Sequence, residues 1–282
     1  MAQLTAVDYQ SPTAKQDFVR SLRETGFGVL KNHPLQQRQV ESIYKNWHDW
    51  FLGDDKWNYK FNGDTMDGLY PMEISETAKG QSVKDIKEFF HYYPWGVCPP
   101  SLKDEVHTYR ENALVLAAEL LVWVEDETPD HVKALFSMPL PEMMKDSDKT
   151  LLRILHYPPL LGDEEASAIR AAAHEDINLL TVLPAANEPG LQVLGNDGSW
   201  IDVPSDFGNL IINIGDMLQE ASGGYYPSTT HRVINPDGMD KTKARISLPL
   251  FCAPRPEVKL SERHTAETYL TERLKELGHI KK

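Results

Sequence analysis

Three short motifs in the second half of the chain carry side chains suited to holding a metal ion and an anion. His174-Glu175-Asp176 places an imidazole and a carboxylate two positions apart. On a strand, positions i and i+2 point to one face, so both can reach the same ion. The pair alone is weak: with ten His and 21 Asp in 282 residues it is expected by chance about 0.7 times. His231 follows well downstream of Asp176, in Ser228-Thr229-Thr230-His231-Arg232-Val233. Two His and one carboxylate on a β framework make a facial set that suits non-haem Fe(II) and leaves open coordination positions. A hydrolytic zinc site takes three such ligands plus water, so the set alone does not choose between iron and zinc. Arg245-Ile246-Ser247, on the next predicted strand after His231, favours iron. On one strand face, Arg and a hydroxyl form a carboxylate clamp. Each charge-assisted bond contributes about 1.5–3 kcal/mol. A chelating 2-oxo acid with a distal carboxylate matches this layout, its keto-acid end at the ion and its far end at Arg245.

These motifs need strands to carry them, and the sequence supplies strands where they fall. From about Thr150 to Pro256, short runs of β-branched and aromatic residues recur between turn signals. They are Leu151–Tyr157, Leu179–Val182, Leu191–Leu194, Trp200–Val203, Asn209–Ile214, His231–Ile234 and Arg245–Phe251. Gly195-Asn196-Asp197-Gly198 reads as a hairpin turn. Many short strands at close spacing predict an antiparallel barrel or sandwich. Before this, residues 1–149 read as mainly helical. Ser11-Pro12 reads as a helix start, with the Ser as cap and the Pro at the first helical position. That helix stops near Gly26, and a strand follows over Phe27–Leu30. Helices are predicted over Gln36–Leu52 and Leu102–Glu127, with loops and one or two short strands over residues 58–100. A last helix is predicted over Ala266–Leu277. No linker separates these stretches, so the chain is expected to form a single domain over 1–282. Its parts are the helical segment 1–149, the strand-rich core 150–256 and the C-terminal segment 257–282.

Composition narrows the partners. Asp plus Glu is 42 and Lys plus Arg is 29, a net charge of −13. Such a chain repels phosphate backbones, so neither nucleic acid nor an anionic membrane is an expected partner. The longest apolar stretch, Ala113–Val124, is interrupted by Glu119 and is too short to span a bilayer. The N-terminus lacks the basic and apolar regions of a secretory signal. Two cysteines cannot build a disulfide framework and read as reduced thiols of a cytoplasmic protein.

The order and spacing of His174-x-Asp176, His231 and Arg245-x-Ser247 resemble the Fe(II)/2-oxoglutarate-dependent oxygenases of the isopenicillin N synthase-like (iron/ascorbate oxidoreductase) family. Further blocks extend the resemblance. Gly190-Leu191-Gln192-Val193, Trp200, Asn213-Ile214-Gly215-Asp216 and Ser228 through Val233 are similar to that family's core. Leu22 through Pro34 resembles its N-terminal signature, and Asp85-Ile86-Lys87-Glu88-Phe89 resembles the segment before its substrate-lining strand. The resemblance implies a mainly β fold with flanking helices around a distorted double-stranded β-helix, or jelly roll. It also implies Fe(II) and 2-oxoglutarate as cofactors, with ascorbate as a candidate reductant.

The resemblance also assigns roles. Leu152 through Pro159 is similar to the strand whose last Tyr contacts the 2-oxoglutarate carboxylate, a place that Tyr157 takes. Leu155 stands where many relatives carry Asn, which removes one polar contact. The implied reaction uses O2 to oxidise a C–H bond of a small molecule, releasing succinate and CO2. No side chain is required as general acid or base. Strand alternation places Arg153 on the face of Tyr157, and Phe251 on the face of Arg245. Both are expected to contact substrate: either an acid or amino acid whose carboxylate meets Arg153, or, where an internal acid pairs with Arg153, a neutral or aromatic molecule. The run Phe89-Phe90-His91-Tyr92-Tyr93 has two readings, core packing first and pocket lining second. Two alternatives stay open: a same-fold oxidase that does not consume 2-oxoglutarate, and a non-catalytic binding protein.

Overall fold

The β-branched and aromatic runs form two sheets in the computed structural model, which describes residues 4–74, 85–160, 170–186, 189–204, 206–235 and 242–276. In chain order the elements begin with β1 (Ala6–Asp8), α1 (Ala14–Thr25), β2 (Phe27–Lys31) and α2 (Gln37–Leu52). Next come β3 (Gly68–Tyr70), β4 (Glu88–Tyr92), α3 (Pro100–Glu127), α4 (Asp130–Lys133) and α5 (Leu140–Met144). The strand-rich part holds β5 (Leu151–Tyr157), β6 (Ala171–His174), β7 (Leu180–Pro184), β8 (Leu191–Leu194) and β9 (Trp200–Asp202). It continues with β10 (Leu210–Ile214), α6 (Asp216–Ala221), β11 (His231–Val233), β12 (Arg245–Ser247) and β13 (Leu250–Cys252), and α7 (Ala266–Glu276) follows.

The larger sheet has nine strands, in the order β1-β2-β10-β7-β13-β5-β4-β3, with β12 also paired to β5. The smaller has the order β6-β11-β8-β9. Alternation along β5 separates two layers. Leu152 and Ile154 join the buried helical stripes Val40/Ile43/Trp47 of α2 and Val106/Ala113/Leu120 of α3. Leu155 and Tyr157 point the other way and pack with Tyr70 and Phe89. A further cluster joins the two sheets, with Phe27, Val29 and Ile211 of the larger against Leu191, Val193 and Val233 of the smaller. The helices therefore cover one face of the large sheet, and the small sheet faces the other. This is the mainly β, helix-flanked arrangement with a jelly-roll core.

Several elements depart from the sequence reading. Helix α1 starts at Ala14, and its N-cap is Thr13 rather than Ser11. Ser11 sits in the turn that leaves β1, where its N–H donates to Asp8 O at 2.9 Å, its Oγ accepts Thr13 N–H at 3.3 Å and its carbonyl accepts Ala14 N–H at 3.0 Å. The run Arg245–Phe251 is two strands, not one. Pro249 lacks an N–H and interrupts the ladder, while its carbonyl accepts from Arg153 N at 3.0 Å. The expected strand through His174-x-Asp176 ends at His174. Asp176 lies beyond it, where its backbone carbonyl accepts Asp216 N–H at 2.8 Å. The Gly195–Gly198 hairpin is present between β8 and β9, with Gly198 at φ 81°. The last helix is described to Glu276, and its predicted end at Leu277 lies outside the described residues.

Candidate metal centre

His174 and His231 meet across a ladder. β6 and β11 are antiparallel, and the two histidines are direct partners, with ring centroids 4.4 Å apart. Asp176 completes the group from the segment after β6. Its Oδ1 lies 3.8 Å from His174 Nε2 and 3.7 Å from His231 Nε2. Donor atoms about 2.1 Å from one ion are at most about 4.2 Å apart, so each of these spacings fits a shared metal. The opposite atoms are already committed. His174 Nδ1 donates to Ala172 O at 2.7 Å, and His231 Nδ1 donates to Thr229 O at 3.1 Å. Both Nε2 lone pairs therefore face the common point. Asp176 Oδ2 accepts from Thr181 Oγ1 at 2.5 Å and from Asn213 Nδ2 at 2.8 Å, which leaves Oδ1 for the ion.

The electrostatics agree with ligation. Burial opposes ionisation of Asp176, but the two imidazoles and the hydrogen bonds from Asn213 and Thr181 outweigh it. Its carboxyl is held below the usual range and is a ready anion. Crowding by protein atoms is the first cause that lowers His174 to about 4, followed by the nearby His231 ring. The shift favours the neutral ring, the form whose Nε2 lone pair can hold a metal ion.

A wall of cations and aromatic rings lies on the inner face of the large sheet. Register pairs Arg245 with Tyr157 and Ser247 with Leu155, so the four share a face. The Arg245 guanidinium carbon is 5.2 Å from the Tyr157 ring, and that of Arg170 is 5.9 Å from it. Arg170 is fully buried and directly precedes β6, so it joins this wall to the strand of His174. Farther along β5, Arg153 lies 4.5 Å over Phe89 and 5.3 Å over Phe251. Its Nε donates to His91 Nε2 at 2.9 Å, while His91 Nδ1 donates to Met66 O at 3.0 Å. The run Phe89–Tyr93 is thus only half core. Phe90 and Tyr92 enter the helical core, while Phe89 and His91 line the inner wall.

The profile of the 2OG-Fe(II) oxygenase superfamily matches residues 149–254, the stretch that holds every one of these candidate ligands and clamp residues. The chain is also similar to the solved structure of a Shewanella oneidensis protein described as an oxygenase. Identity is 61%, with 99% of this chain and 100% of that one covered and a TM-score of 0.91. The chain belongs to the 2OG-Fe(II) oxygenase superfamily. A Caulobacter crescentus protein of the same family is 28% identical, with 98% of this oxygenase and 100% of that chain covered and a TM-score of 0.80. Among curated relatives, gibberellin 3-beta-dioxygenase 1 of Arabidopsis thaliana is 29% identical over 66% of this oxygenase, which spans 48% of that enzyme. The family's name carries Fe(II) and 2-oxoglutarate, and the curated relatives are themselves named as dioxygenases and oxidases. No helix among the described residues is long and apolar enough to cross a membrane.

The sequence reading of this oxygenase named His174, Asp176, His231, Arg245, Ser247, Tyr157, Arg153 and Phe251. The fold brings the first three together, lines Arg245, Ser247 and Tyr157 along one face, and puts Phe251 against Arg153. It missed Thr181, Asn213 and Arg170. Asn213 and Thr181 left a readable signal, since each is the one polar residue in an apolar run, LIINI and LTVLP. The two are direct cross-strand partners between β10 and β7.

Proposed function

We propose that His174, Asp176 and His231 hold Fe(II), and that the oxygenase oxidises a C–H bond of a small molecule carrying a carboxylate. The observation that supports this best is the convergence of two Nε2 atoms and one carboxylate oxygen whose opposite atoms are all engaged. Bound Fe(II) with 2-oxoglutarate and O2 supplies the oxidation, in which 2-oxoglutarate becomes succinate and CO2 and one oxygen atom enters the substrate. The chain's part is to bind and orient. Arg245 takes the distal carboxylate of 2-oxoglutarate, with Ser247 and Tyr157 as additional donors. Leu155, in register with Ser247, gives the cosubstrate an apolar neighbour there.

Arg153 is the residue for the substrate carboxylate. It shares a strand face with Tyr157, and its guanidinium is fixed by His91 and by the Phe89 and Phe251 rings. Small acids and amino acids fit this wall. Succinate formation from 2-oxoglutarate by the anaerobically Fe(II)-loaded protein, measured after O2 is admitted, tests the reading. A small carboxylic or amino acid should accelerate it, and Arg153→Met should weaken that acceleration. A loaded protein that makes no succinate with any acid, or whose Arg153→Met variant responds unchanged, counts against it.

A further inference from the structure

The three candidate ligands are not equally supported. His231 lies on a strand with neighbours on both sides, and Asp176 accepts two side-chain hydrogen bonds. His174 ends β6, an edge of the small sheet that, among the described residues, pairs with β11 alone. The register of that pair shifts between His231 and Val233. Asp85 gives β6 a second hold. It lies just before β4, in the part of the chain that leads into the large sheet. Asp85 Oδ1 accepts the Ala172 N–H at 3.1 Å, and its Oδ2 pairs with Lys87 Nζ at 2.9 Å. Both side chains are buried, at 7% and 5% exposure, so this charged contact works where water competes little. The same Ala172 accepts His174 Nδ1 at its carbonyl. One residue of β6 is thus gripped by Asp85 at its N–H and grips the His174 ring at its C=O.

We propose that Asp85, neutralised by Lys87, is a positioning residue for His174. It fixes the edge strand from the opposite sheet and so sets the affinity for Fe(II). The proposal rests on the reading of His174 as an iron ligand. It also gives that ligand a mechanical link to the substrate side, because Lys87 runs directly into the strand that carries Phe89 and His91.

Partners that orient a ligand typically change metal affinity about 10–100-fold when removed. The test is anaerobic titration of the full chain with Fe(II), and with Co(II) as a coloured substitute, beside the unfolding temperature of the metal-free protein. His174→Ala should abolish binding. Asp85→Ala should fold, weaken binding about 10–100-fold and alter the Co(II) visible spectrum. Asp85→Asn keeps an acceptor oxygen for Ala172 and should recover part of the affinity. A merely structural role would lower the metal-free unfolding temperature and leave affinity and spectrum at their wild-type values, and that result in Asp85→Ala overturns the proposal. If Asp85→Ala does not fold, wild-type affinity in both Asp85→Asn and Lys87→Met overturns it. Wild-type affinity in His174→Ala instead overturns the ligand assignment, so the two failures are distinguishable.

Discussion

At the scale of single residues, the site is a set of commitments. Each candidate ligand has one atom engaged by the protein and one left over, and the left-over atoms converge. Thr181→Val or Asn213→Leu should therefore weaken Fe(II) binding about 10–100-fold without removing any ligand, as read by anaerobic titration. The clamp makes a second prediction. In the proposed clamp, Arg245→Leu removes at least one charge-assisted bond, about 1.5–3 kcal/mol, whereas Ser247→Ala removes a neutral bond of about 0.5–1.5 kcal/mol. At about 1.4 kcal/mol per tenfold, Arg245→Leu should raise the half-saturating 2-oxoglutarate concentration about 10–100-fold. Ser247→Ala should raise it by no more than about tenfold. Equal small effects in succinate-release assays would count against the clamp and favour an oxidase that does not consume 2-oxoglutarate. The candidate ligand and clamp residues were legible because the proposed chemistry is written in residue type and short spacing. Their supports were legible only as lone polar residues in apolar strands, without a partner to assign. Thr181 and Asn213 are distant in sequence and become neighbours only through the β7–β10 register.

At the scale of elements, the strand runs and the long helices followed from periodicity, because burial of one face is a local pattern. The breaks did not. The Ser11-Pro12 signal marks the turn that leads into α1, and the regular helix begins at Ala14 after it. His174 and Asp176 were placed together by the period of a strand, yet Asp176 lies beyond the strand end. What brings His174 to His231 is their pairing across β6 and β11, a long-range contact that no local pattern announces. The Phe89–Tyr93 run was ambiguous for a related reason, since a strand buried on both faces shows no polar alternation. Gly26 ties an element boundary to the site. It ends α1 at φ 72°, and its N–H donates to Leu22 O at 2.8 Å. A Cβ there would run into the Thr229 side chain, and Thr229 O is the acceptor that orients His231. Gly26→Ala should cost about 1–3 kcal/mol and lower the unfolding temperature. It should also weaken Fe(II) binding, which a simple helix-end defect would not do.

At the scale of the whole molecule, the candidate ligands come from the small sheet and the loop beside it, and Asp176 is held by donors from β7 and β10 of the large sheet. The ion would therefore sit between the two sheets, held by residues of both. A chain with a net charge of −13 also collects acids close to this point. Asp216, buried at 3% exposure, lies 3.2 Å from Arg273 of α7, and Glu175 lies 3.8 Å from the same guanidinium. Burial and the neighbouring Glu175 and Asp176 raise Asp216, although Ser228 and Arg273 work to lower it. A cation at the ligand point relieves this local excess of negative charge as well as bridging the sheets. Since such an ion binds the folded chain and finds no preformed site in the unfolded one, it must stabilise the fold by mass action. At Fe(II) about one hundred times its dissociation constant the gain is about 2.7 kcal/mol. A chain of this size shifts by about 2–4 °C per kcal/mol, so chelating the metal should lower the unfolding temperature by roughly 5–10 °C. Anaerobic thermal unfolding with and without Fe(II) measures this directly. His174→Ala should unfold at the same temperature in both conditions, and an equal Fe(II) response in that variant would place the stabilising ion somewhere other than between the sheets.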